Sequence, residues 1–151
     1  MKTFFKFIGL VVILNIVRYV VAVRIEQLLI FTPLSGAMEK SSSYFNTNFS
    51  SFDWVTSYFY NFMMWLTITW VFVLLHPYLR GSSIVKSLKV YGLMYLFFAS
   101  VSAIYMNHYS HPKDFYFYNI LDGLMVFPLV AVANGLIHPL MFKREKDEEG
   151  A

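Results

Sequence analysis

Residues 54–75 read WVTSYFYNFMMWLTITWVFVLL, and nothing in this stretch carries a charge. The hydrocarbon layer of a bilayer is about 30 Å thick and is crossed by roughly 20 mostly apolar residues in a helix. The abundance of aromatic and β-branched residues would favour a strand in water. In hydrocarbon, however, every backbone N–H and C=O must be satisfied within the segment itself, and that requirement selects a helix.

Three further segments of the same kind flank this one. The first runs from about Phe4 to Leu34 and holds Arg18, Arg24 and Glu26; the third, from about Val90 to Met106, is uncharged; the fourth, from about Phe115 to Phe142, holds Asp122 alone. Four spans fill a single membrane domain over 1–142, followed by a charged tail over 143–151. The fold expected is all-α and integral to the membrane, an antiparallel bundle of four transmembrane helices. Between the first two spans, Ser35 to Asp53 is rich in serine and asparagine and reads as a loop, with Ser51 or Asp53 placed to cap the second helix.

Composition supports the same reading. Of the 151 residues 58% are hydrophobic and only 14% are charged, against about 25% charged in soluble domains. A net charge of +3 on scattered basic residues gives no footing for nucleic acid. Without cysteine, disulfides, thiolate metal sites and cysteine nucleophiles are excluded.

Basic residues set the orientation, because cytoplasmic segments are enriched in them. With both termini cytoplasmic, the inside segments hold Lys2, Lys6, Arg80, Lys86, Lys89, Lys143, Arg144 and Lys146, and the outside segments only Lys40 and Lys113. Aromatic residues such as Tyr44, Trp54, Tyr58, Tyr105 and Tyr116 gather near the outer boundary, where an interfacial belt sits. The membrane expected is a plasma membrane, the bacterial inner membrane ahead of that of an organelle. A rival exists at the N-terminus, where Lys2, Lys6 and the apolar run from Phe7 to Val17 resemble a signal peptide. Arg18 interrupts that pattern and hydrophobicity resumes at Leu28, so retention is the better reading.

The two halves of the chain echo each other. Tyr58-Phe59-Tyr60-Asn61 matches Tyr116-Phe117-Tyr118-Asn119, and Leu75-His76-Pro77 matches Ile137-His138-Pro139. Aromatic matches come cheaply in this composition, but Asn and His-Pro matches at corresponding places do not. A duplicated helical hairpin is therefore an alternative form of the same fold.

Ionisable groups inside a span are costly, at about 2.5 to 3.5 kcal/mol near its centre on insertion scales. At 100° per residue Asn15, Arg18, Ala22 and Glu26 share one stripe of the first helix, and Arg24 points the opposite way. Asp122 lies about 9 Å into the fourth helix, a depth that matches Arg24, whereas the stripe turns Arg18 and Glu26 inward. Pro128 should kink the fourth helix, with Gly123, Asn134 and Gly135 nearby. The bland reading is mutual neutralisation and ordinary packing; the sharper one is a solute or proton site built on Arg18, Arg24, Glu26, Asp122 and Asn134.

Histidines supply the remaining candidates. His76 and His138 end two helices that run in the same direction, placing them to face each other across a haem or a metal. Helix capping is the plainer explanation. His108 and His111, followed by Asp114, can share a metal, with Asp114 or Glu39 as third ligand. Asn48-Phe49-Ser50 fits a glycosylation acceptor, a pattern that recurs by chance. Phosphate loops, serine nucleophile elbows and zinc-protease motifs are missing.

The function expected is non-catalytic: an accessory or assembly subunit that binds a partner or the lipid bilayer. The alternative is a small transporter or channel using the intramembrane charges. Four spans leave little room for a private pore, so this alternative implies a homo-oligomer or a larger membrane complex. A haem- or metal-binding enzyme or electron carrier is the third reading.

Overall fold

The computed structural model describes residues 2–46, 48–108 and 112–142. Every regular element among them is helical: α1 (Lys2–Ile16), a π-helical turn (Val17–Ala22), α2 (Val23–Leu29), α3 (Phe31–Lys40), a short 3-10 turn (Ser42–Tyr44), α4 (Ser51–Leu75), α5 (Ser83–His108) and α6 (Lys113–Met141). Four helices, counting α1 through α2 as one, are long and apolar enough to cross a membrane.

The first long helix is shorter than its apolar sequence suggests. It stops at Leu29, where Ile30 leaves helical geometry (φ −126°, ψ −18°), and α3 starts at Phe31. Pro33 explains the break, since it has no N–H to donate to the Leu29 carbonyl and sits comfortably only in the first turn of a new helix. Residues expected as loop, Ser35 to Lys40, consequently lie in α3. The cap of α4 also differs by one residue. Ser50, not Ser51, is the N-cap: its Oγ accepts from the Asp53 N–H at 3.2 Å, and Asp53 Oδ2 accepts from the Ser50 N–H at 2.8 Å. This reciprocal pair satisfies two of the orphan donors at a helix start.

α5 extends well before the apolar stretch that announced it, from Ser83. Its added first turns carry Lys86 and Lys89, whose Nζ groups donate to the His76 and Arg80 carbonyls, each at 3.0 Å. Lys86 thus occupies the cap carbonyl that the end of α4 leaves unsatisfied, and Lys89 a carbonyl in the loop beyond it.

α6 is the most deeply packed helix, with 39% of its most apolar window buried against 22% in each of the others. It touches α1, the π turn, α3 and α5. The core gathers Leu10 and Leu14 from α1, Trp65 and Phe72 from α4, Tyr91 from α5, and Phe127 and Val130 from α6. The closest approach is between α5 and α6. A Cβ placed on Gly135 would come within 2.5 Å of the Ile84 Cα, so only glycine fits. Beside it Asn134 Nδ2 donates to Ser87 Oγ at 2.9 Å in a fully buried contact. Outside this core Leu28, Phe97 and Leu140 lie bare on the surface, an arrangement that water penalises by roughly 25 cal/mol per Å² of apolar area.

Candidate functional site

The π turn is the local feature that builds the site. In an unbroken α-helix residues eight apart are about 80° out of line, since each turns about 100°. A π turn closes i→i+5 bonds and advances less per residue. Six residues of it between Ile16 and Val23 bring Glu26 back over Arg18. Arg18 Nη1 donates to Glu26 Oε2 at 2.8 Å, and Nη2 lies 2.7 Å from Oε1. Both side chains are largely withdrawn from the surface, 17% and 14% exposed. A two-point contact of this kind is the geometry in which a guanidinium binds a carboxylate best.

Asp122 of α6 reaches the same place. Its carboxyl lies within hydrogen-bonding reach of Glu26 and in the field of Arg18, while Oδ1 is buried with no hydrogen-bond partner among the described residues. Arg24, which depth alone would pair with Asp122, is turned away. It is exposed, and its Nη1 donates to Gln27 Oε1 at 3.3 Å. The direction of a side chain around its helix therefore outweighs its depth.

Arg18 and Asp122 line a cavity of about 270 Å³ with Asn61, Trp65, Asn119 and Phe98 among the remaining walls. Trp65 Nε1 is a second buried polar atom there without a hydrogen-bond partner among the described residues. Gly123 allows the rings of α5 to close one side, because a Cβ would meet Phe98 at 3.0 Å and Tyr95 at 3.2 Å. Tyr95 Oη donates to the Ile120 carbonyl at 3.2 Å. Asn61, Asn119 and Trp65 were not singled out as site residues. The signal for the two asparagines was present in the repeated Tyr-Phe-Tyr-Asn, whose last residues line the same cavity.

The other repeated pair is in direct contact. The rings of His76 and His138 lie 4.6 Å apart between centroids, tilted by 47°. Phe72 packs edge-on against both, and Phe142 stacks on His138 at 4.8 Å. Burial, and then the neighbouring Lys86 ammonium, hold the His76 imidazole below its ordinary value. An iron held between two imidazoles needs bonds of about 2 Å on each side and hence ring centroids about 6 Å apart. The rings are too close for that, so the residues present do not fit a haem between them. Asn134 belongs to the α5–α6 contact and not to the cavity.

His108, the last residue of α5, is exposed, its ring Nδ1 lying 3.3 Å from the Ile104 carbonyl. His111 is outside the described residues. Asp114 and Glu39 are exposed, and among the described residues no three histidine, aspartate or glutamate side chains converge as a metal site requires. No family model, curated protein or solved structure matches the chain.

Proposed function

We propose that the protein is an integral membrane protein, an antiparallel bundle of four spans with cytoplasmic termini, that binds the polar group of a small ligand in its interior cavity without catalysing a reaction. The observation that carries this reading is a buried hydrogen-bond donor on the cavity wall that lacks an acceptor. Arg18 pairs with Glu26, and Asp122 lies within reach of Glu26, yet Trp65 Nε1, on a cavity-lining residue, is buried without an acceptor among the described residues. Mutual neutralisation of the charges leaves that donor unmet, and an unmet buried polar group costs about 1–3 kcal/mol. A cavity near 270 Å³ sits at the small end of ligand pockets, which begin at about 300 Å³.

The distribution of basic residues supports the orientation, and the paired placement of Asn61 with Asn119 and of His76 with His138 supports a duplicated hairpin. Transport is the second reading. The π turn on one wall and Pro128 behind another are both places where a helix changes register at low cost. Such a carrier would work as a homo-oligomer or within a larger membrane complex.

The chain has no cysteine of its own, so single-cysteine variants give a clean test. In sealed liposomes, Asn61→Cys and Asn119→Cys should react with a small polar maleimide, whereas Thr69→Cys, fully buried in α4, should not. Two folded cavity variants that both stay unlabelled would refute a cavity open to polar molecules.

A further inference from the structure

Resting on the cavity reading above, we infer that the ligand is an uncharged amphiphile that enters sideways from the bilayer, its hydrogen-bonding head between Asn61 and Asn119 and its apolar chain in a groove between α4 and α5. The groove has a volume of about 440 Å³ and shares Met64, Phe98 and Phe127 with the polar cavity. The two spaces are neighbours across common walls. One is polar, lined by charged and amide side chains; the other is apolar and open at the surface, where Phe97 is 70% exposed. A molecule with a polar end and an oily end matches that order.

The groove follows from how α5 is held. Gly135 and Gly123 draw α5 onto α6. α4 meets α5 chiefly through Tyr91, which stacks on Trp65 at 6.3 Å and lies 3.1 Å from Thr69 Oγ1. Beyond that contact the two helices are separated by the groove. Met63, Met64 and Met94 line it, and methionine side chains adapt to flexible apolar chains better than branched ones do.

Charge selects the head. The Arg18 guanidinium is taken up by Glu26, and Asp122 adds a second acid. The cluster therefore offers no spare cation for a phosphate or carboxylate, and a like charge nearby opposes one. Asparagine amides, by contrast, both donate and accept, which suits hydroxyl or carbonyl groups. Asn61 lies exposed well inside α4, with one long bond of 3.4 Å to the Ser57 carbonyl of its own helix. Facing lipid tails, an amide so poorly satisfied would be expensive; facing a ligand head it is not.

Trp65 provides the readout. In a Trp54→Phe/Trp70→Phe variant it is the sole tryptophan of the original three, and it is 1% exposed, so bulk lipid contributes little. The protein is placed in nanodiscs of phosphatidylcholine, and a monoacylglycerol dibrominated at mid-chain is titrated in. Saturable quenching of Trp65 is expected, with half-saturation weakened about tenfold in Asn61→Leu and in Asn119→Leu, the effect of one lost hydrogen bond. The dibrominated fatty acid and dibrominated phosphatidylglycerol should give only a linear background. Linear quenching by the monoacylglycerol, equal saturation by the anionic probes, or asparagine variants that keep their fold and their quenching would each overturn the inference. A second copy of the chain seated in the groove would appear as the first of these. If maleimide still labels Asn61→Cys in that case, the polar cavity stands and only the amphiphile falls; if labelling fails too, both fall.

Discussion

The face that α4 and α6 turn toward each other ends in two pairs of matching residues with opposite surroundings. At one end Asn61 and Asn119 border an open polar cavity. At the other His76 and His138 are packed ring against ring and sealed by Phe72 and Phe142. The pairs are separated by 15 residues in α4 and 19 in α6, a difference of about 6 Å in helix length. Pro128 falls within the longer stretch, where its missing N–H relaxes the helix. Repetition in sequence thus yields one site and one clasp, and what decides between them is the neighbouring side chains, not the repeated ones.

The sealed end depends on the α5–α6 contact, and breaking that contact has the largest effect. Gly135→Val puts a branched side chain where even one carbon collides with Ile84 backbone. It should abolish the folded, monodisperse species on gel filtration in detergent, a loss above about 3 kcal/mol of the kind overpacking produces when backbone must move. Next comes the open end. Arg18→Met leaves two neighbouring acids without their cation and should cost about 3–5 kcal/mol in detergent melts, while a Glu26→Gln/Asp122→Asn background recovers most of it. An equal loss in that background would show that Arg18 acts by packing alone.

Asp122→Leu should cost about 1–3 kcal/mol by removing the neighbour of Glu26. Asp53→Asn, at the exposed cap of α4, should shift the melt far less; equal shifts would erase the distinction between an interior acid and a capping one. The smallest effect belongs to the clasp. The folded state holds His76 below its ordinary value of 6.5. Above that pH both folded and unfolded forms are neutral there, and the residue contributes nothing. Below it the unfolded chain takes the proton first, so stability falls with falling pH. Melts at about pH 7.5 and 5.5 should separate in the native protein and draw closer in His76→Gln.

Much of this was legible in the residues themselves. Four apolar stretches announced four long helices, because length and lack of charge are enough for that inference. The break after Leu29 was missed, because hydropathy runs past it to Leu34, although Pro33 carries the signal. The pairing of Arg18 with Glu26 was half visible as a polar stripe, but a stripe assumes a constant 100° per residue, and the π turn that aligns the two has no sequence signature. Arg24 could not be assigned by depth, since depth carries no information about direction around the helix. The cavity walls at Asn61 and Asn119 stood in the repeat, yet only packing shows that the two repeats bring them to one place. The Gly135–Ile84 approach was invisible, because glycine in a membrane helix has many ordinary causes.

The wide turn from Val17 to Ala22 also behaves as a surplus letter in the chain. Delete one residue there, Val20 for instance, and the helix can close into regular α geometry with Arg18 and Glu26 seven positions apart, only about 20° out of line. Arg18 would then still face Glu26, whereas the full-length segment forced into regular α geometry would set the two about 80° apart with every side chain keeping its identity. Spacing, and not composition, keys the lock.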